Sequence, residues 1–147
     1  MHAVRPWLYI GKYREALDWR LLTVNHIGAM LQLADPVEQP GITSLYLPVD
    51  DGVPLPGDLL RQGVDFVKAE KRRGHTVLIA CGAGISRSVA FTVAVLKEEE
   101  GLGLLDAFRA VKQQHPVAMP HFALWESLCG YYQEDIPFRA LFVQPGE

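Results

Sequence analysis

The sequence predicts an α/β fold: a single domain with a central mixed β-sheet flanked by helices. Three observations carry this. Runs of strand character alternate along the chain with runs of helical spacing. Thr76 to Ala80 (TVLIA) is short, fully apolar and rich in β-branched residues, as a strand covered on both faces requires. Val89 to Leu96 is apolar on nearly every side, so the element after that strand reads as a helix buried at the centre.

The elements follow in order. Trp7 to Ile10 (WLYI) is a short strand ending at Gly11, and Tyr13 to Leu22 a short helix. Ile27 to Leu33 (IGAMLQL) is a second strand, stopped by Asp35-Pro36, and Pro40-Gly41 marks a turn. Ser44 to Pro48 is a third strand. Residues 50–57 (DDGVPLPG) form a loop dense in Asp, Pro and Gly. Asp58 to Arg73 places Leu60, Gly63, Val64 and Val67 at helical spacing, with Asp58 as N-cap and Gly74 just past the end. After the central strand, Ser88 to Glu100 is the buried helix, and its Glu98-Glu99-Glu100 end is read as solvated. Leu104 to Gln114 is a helix stopped before Pro116, and Met119 to Tyr132 a last helix opened by Pro120. Strand order is not legible, and the short early strands suggest a mixed sheet. Trp7, Trp19 and Trp125 are read as core.

Composition narrows the function. The chain has 147 residues, 49% hydrophobic and 21% charged, which fits one globular domain over residues 1–147 rather than a disordered chain. A net charge of −3 leaves no electrostatic footprint for nucleic acid. The start carries no apolar stretch of signal-peptide length, and the longest apolar run is too short to span a bilayer, so no membrane partner is expected. Cys81 and Cys129 cannot build a disulfide framework, and free thiols suit a reducing, cytoplasmic compartment. The five histidines show no metal-ligand spacing, so no metal and no cofactor are expected.

The chemistry sits in Thr76 to Ser88 (TVLIACGAGISRS), where a buried strand ends, a glycine-bearing turn follows and a buried helix begins. Such a turn aims successive backbone N–H groups inward and, with the helix N-terminus, makes an anion cradle. Gly82 and Gly84 permit the tight path; Ala83, Ile85 and Ser86 complete the loop. Arg87 can grip two oxygens of a phosphate in a fork that Lys cannot reproduce. The same field favours the thiolate of Cys81 over the thiol. One loop thus supplies a nucleophile and a dianion receptor, the pair that phosphoryl transfer through a cysteinyl-phosphate needs. A carboxylate on a mobile loop beside the pocket would serve as general acid, and Asp50-Asp51-Gly52 fits that need. Both aspartates could also merely form the turn.

Cys81 to Ser88 resembles the C-x5-R-S signature of cysteine-dependent protein phosphatases, most of all their small dual-specificity branch. LYIG near the start is similar to that branch's opening strand, LPVDDGVPLP to its general-acid loop, and MPHFALWESL to the helix that braces the phosphate loop. The resemblance covers about residues 7–132 and leaves the tail, residues 135–147, without a counterpart or an assigned role. It implies a protein tyrosine phosphatase-like fold with Cys81 as nucleophile. Arg87 would bind phosphate and stabilise the transition state. Ser88 would donate a hydrogen bond to the departing sulfur. Asp51 aligns with the acid one step before Gly52, with Asp50 as its rival.

Two positions depart from the family pattern. Ala80 stands where the family usually has His before the nucleophile, and His121 where it often has Asn bracing the loop. His121 could replace that brace or lie on the surface. Cys129 reads as a small buried hydrophobe, or as a thiol that resolves oxidised Cys81. The leading expectation is a dual-specificity phosphatase acting on phosphorylated protein or a small phosphorylated molecule. The alternative is a catalytically dead phosphate-binding module. A sulfur-transfer loop would hold four residues where this one holds five, and arsenate reduction would need a cysteine near Cys81. No cation lies among Gly82, Ala83 and Ile85, which disfavours a highly phosphorylated inositol.

Overall fold

The computed structural model describes residues 1–144 and shows a five-stranded mixed sheet covered on both faces by helices. The elements are β1 (His2–Arg5), β2 (Leu8–Lys12), α1 (Tyr13–Ala16), α2 (Trp19–Val24), β3 (Ile27–Gln32), β4 (Thr43–Tyr46), α3 (Gly57–Arg72), β5 (Thr76–Cys81), α4 (Arg87–Glu100), α5 (Leu104–Gln114) and α6 (Phe122–Tyr132). A 3-10 turn over Phe138–Phe142 closes the chain's path. Of the tail singled out in the sequence, residues 145–147 lie outside the described residues.

Strand order is β1-β2-β5-β3-β4. The antiparallel partner that makes the sheet mixed is β1, which pairs with β2 through a bulge between Ala3 and Arg5; the other pairings are parallel. The apolar run is the middle strand, as its composition requires: Leu8 pairs with Val77, and Leu31 with Ile79. Alternation along β5 then decides where each side chain goes. Val77, Ile79 and Cys81 enter the larger core with α4, while Leu78 and Ala80 enter a smaller one with Ala16, Leu22 and Met30. The nucleophile candidate therefore faces the helix that follows it.

Helix α4 is buried from Ser88 through Leu96, as an all-apolar helix at the centre must be. At Gly63 of α3, a Cβ would lie 2.4 Å from the Phe91 ring, so this glycine sets the close approach of the two helices.

The structure corrects several expectations. β1 (HAVR) has too few apolar positions to announce itself and exists through its pairing. The single helix expected from Tyr13 to Leu22 is two, because the Asp18 carboxylate accepts from Leu21 N–H at 3.1 Å and starts a new helix. Pro56, not Asp58, is the N-cap of α3, and Asp58 sits in the first turn, where a carboxylate complements the helix dipole. α6 begins at Phe122, not Met119. Of the three tryptophans, Trp125 is buried, Trp7 packs on the core's edge, and Trp19 is 59% exposed. Among the described residues, no helix is long and apolar enough to cross a membrane.

The glutamate run is only partly a solvated helix end: Glu100 is exposed, but Glu98 and Glu99 are half-buried, and all three are paired. Glu99 pairs with Lys71 at 2.9 Å and Glu100 with Arg5 at 2.8 Å. Glu98 accepts from Arg61 at 2.6 Å, from Lys68 at 3.2 Å and from the Tyr132 hydroxyl. Burial, the largest single influence on Glu98, works to raise its carboxyl; the bonds from Arg61, Tyr132 and Lys68 together hold it below the usual carboxylate range. A carboxyl depressed in the fold stabilises above its unfolded value and loses that contribution as pH falls through the folded value. Glu98→Gln is expected to cost about 1–3 kcal/mol at neutral pH. Urea denaturation of both proteins should show the difference shrinking as the solution is taken below the carboxylate range.

Candidate active site

The turn between β5 and α4 takes its shape from bonds made outside it. Tyr13 N–H donates to Gly82 O at 3.3 Å, from the junction of β2 and α1. His115 Nε2 lies 2.8 Å from Gly84 O, at the end of α5. Met119 N–H donates to Ile85 O at 3.0 Å, from the segment before α6. In a trans peptide the N–H points opposite to the carbonyl. Holding those three carbonyls outward therefore turns the N–H groups of Ala83, Ile85 and Ser86 to the concave side. Gly84 adopts φ +71°, and a Cβ there would lie 3.0 Å from the backbone of Gly11, so both conformation and space require glycine.

Cys81 ends β5 with its side chain buried beneath this loop. Ser88 N–H, in the first turn of α4, donates to Cys81 Sγ at 3.4 Å, and Ser88 Oγ lies 3.2 Å from the same sulfur. Ser88 is itself fixed, since Thr92 Oγ1 donates to its carbonyl at 2.7 Å. The Cys81 thiol donates to Ser88 Oγ, while the Ser88 N–H and the positive end of a 14-residue helix converge on the sulfur.

Arg87 reaches across the site. Its Nη1 donates to Val49 O at 2.9 Å and approaches Leu33 O at 3.5 Å, which joins the phosphate-type loop to the chain ends after β3 and β4. A Cβ on Gly82 would lie 3.1 Å from Arg87 Nη2. With Nη1 so engaged, the Nε and Nη2 donors are left for an anion.

Asp51 is docked on the same loop. Ser86 Oγ donates to Asp51 Oδ1 at 2.7 Å, and His121 N–H donates to Ser86 Oγ at 2.8 Å. Asp50 is exposed and, among the described residues, forms no hydrogen bond or ion pair. The Asp51 Oδ2 atom remains available. The loop residues Gly82, Ala83 and Ile85 are exposed, and Ser86 and Arg87 half-buried, around this opening.

Sequence reasoning missed three parts. Ser86 is more than a loop residue, because its hydroxyl couples Asp51 to the chain before α6. His115 is buried, holds Gly84 O and is stacked beneath His2 of β1 at 3.9 Å between ring centroids. Of the two readings left open for His121, the surface one holds for its ring, which is exposed and caps α6 by accepting from Ala123 N–H at 3.0 Å; the contact with Ser86 comes from its backbone N–H, not from the imidazole. Only the Pro120-His121 step before the last helix hinted at such a cap. Cys129 is half-buried, and its thiol donates to Ile136 O at 3.6 Å. Burial pushes that thiol up, which opposes a role as a resolving thiolate.

The comparisons with known proteins agree with this geometry. The chain matches the family "Dual specificity phosphatase, catalytic domain" over residues 8–134, and it belongs to that family. Among individual relatives, it is 29% identical over 138 residues to dual specificity protein phosphatase 5 of Rattus norvegicus, covering 91% of this chain and 36% of that protein. It is 31% identical over 124 residues to dual specificity protein phosphatase 22-B of Danio rerio, covering 82% of this chain and 68% of that protein. The crystal structure of human DUSP28 superposes with a TM-score of 0.85 at 30% identity, covering 90% of this chain and 96% of that one. The chain spans about a third of the length of the rat relative.

Ala80 faces the smaller core, whereas Cys81 faces the larger one, and the crevice that Ala80 lines with Tyr13, Ala16, Gln32 and Cys81 has no room for a water molecule. Ala80→His must therefore overfill that core. It is expected to lower stability by about 1–3 kcal/mol, read as a lower urea midpoint at unchanged slope.

Proposed function

We propose that this chain is a phosphomonoester hydrolase of dual specificity, acting on phosphotyrosine and on phosphoserine or phosphothreonine in proteins through a cysteinyl-phosphate. The observation that carries the reading is one loop that holds a buried sulfur against the Ser88 N–H and hydroxyl, an arginine fork and a docked carboxylate. Residues 1–147 act as one catalytic domain. Two free cysteines favour a reducing, cytoplasmic setting.

In this mechanism the phosphate dianion enters the cradle of Ala83, Ile85 and Ser86 N–H groups and is gripped by Arg87. Cys81 Sγ attacks phosphorus. The P–O bond to the leaving group breaks as Asp51 delivers its proton to the departing oxygen. Arg87 and the N–H groups stabilise the charge spread over the three equatorial oxygens. The Asp51 carboxylate then takes a proton from water, whose oxygen attacks phosphorus. The S–P bond breaks, the electron pair returns to Sγ, and Ser88 N–H and O–H receive it. The bond from Ser86 supports Asp51 over Asp50 as the acid, because it keeps one carboxylate oxygen at the rim of the cradle.

Hydrolysis of p-nitrophenyl phosphate and of phosphopeptides tests the reading. Cys81→Ser should abolish turnover while retaining phosphate-ester binding, because the cradle is backbone plus Arg87; activity within tenfold of wild type would rule out the covalent route. Asp51→Asn should lower kcat roughly 10²-fold or more for a poor leaving group. The loss should be far smaller for p-nitrophenol, which leaves without a proton. The same pattern in Asp50→Asn instead would move the acid by one position.

A further inference from the structure

The segment without a counterpart in the family pattern builds a surface beside the site. Trp125 Nε1 donates to Ile136 O at 2.9 Å, and Leu141 is buried, so the turn Phe138–Phe142 is pinned against the domain. Its rings form a ladder with α6. Phe138 meets Phe122 edge-on at 5.5 Å and Phe142 edge-on at 5.4 Å. Phe122 stays 48% exposed and Phe142 61% exposed. With Met119 and Pro120 these rings line a groove of about 460 Å³, and its other walls are Asp51, Ser86 and His121. The groove therefore opens directly from the rim where the leaving group would stand.

We propose that this groove is a specificity subsite that takes an apolar side chain, aromatic or long aliphatic, next to the phosphorylated residue of a peptide substrate. The proposal deepens the phosphatase reading and rests on it. Three observations select that occupant. The groove is continuous with the catalytic loop through Asp51 and Ser86, so whatever fills it is joined to the phosphorylated residue. Its volume falls in the range of small-molecule pockets, large enough for one bulky side chain, and its walls are chiefly aromatic and aliphatic. Among the described residues that line it there is no lysine or arginine, so an acidic neighbour finds no cation there, whereas an apolar one gains by displacing water from exposed rings.

The test uses the full chain and phosphotyrosine peptides carrying Phe or Glu at each of the two positions on either side of the phosphorylated residue. Wild type should prefer Phe over Glu in kcat/KM at one or more of these positions. Phe142→Ala should reduce that preference by about fivefold, mainly through KM, as expected for loss of one aromatic contact. Phe122→Asp, a second exposed position, should reduce it further. Hydrolysis with no preference, or a preference untouched in both variants, overturns the subsite and leaves the phosphatase reading standing. No hydrolysis of any peptide or of p-nitrophenyl phosphate overturns that reading and the subsite with it. A concentration-dependent dimer that dissociates in Phe142→Ala would assign the rings to a second copy of the chain and overturn the subsite.

Discussion

Three backbone carbonyls that point away from the active-site loop fix its shape. Gly82, Gly84 and Ile85 each lose their carbonyl to a different element: the start of α1, the end of α5 and the approach to α6. Gly84 is buried, where an unpaired carbonyl costs about 1–3 kcal/mol, so its bond to His115 in particular resists any rotation of the peptide plane. The sheet places β2 beside β5, α5 packs against β1, and α6 closes the far side; all three are needed for the inward N–H groups to converge. The anion cradle is therefore a product of the whole domain, although its residues are contiguous.

The same economy joins the reactive groups to one another. Arg87 touches Val49, two residues before Asp51, and Ser86 touches Asp51 itself. The loop from Cys81 to Ser88, the Arg87 side chain and the loop carrying Asp51 thus form one bonded unit. A shift of the loop carrying Asp51 must break the Ser86 bond or strain the Arg87 bond, which ties the position of the Asp51 carboxylate to the orientation of the Arg87 guanidinium. His121 adds the third strand of this connection through its backbone N–H.

Legibility followed locality. β5, the loop and α4 were readable because an apolar β-branched run, two glycines and an apolar helix are contiguous signals. Cys81, Arg87 and Ser88 fell where that local pattern put them, and Asp51 lies on the loop that its Asp-Pro-Gly content marked. What escaped detection depends on partners distant in sequence. β1 is a polar edge strand defined by pairing with β2. His115 and the Glu98 cluster are polar groups whose burial is decided by neighbours that come together only in the fold. Trp19 reads as core by residue type, yet α2 turns it outward. Phe138–Phe142 has no helical period long enough to register, and its aromatic ladder appears only against α6.

The strand order has a consequence in time as well as in space. β5 sits between β2, far upstream, and β3, so the central parallel pairings close long loops before they are repaid. Sheets of this kind are intrinsically slow to form, because few of their stabilising contacts are local. A nascent chain that has made α4 but not yet docked β2 and α5 lacks the partners of Gly82 and Gly84. The loop that carries Cys81 then takes its final shape only when those long-range contacts, Tyr13 on Gly82 and His115 on Gly84, have closed.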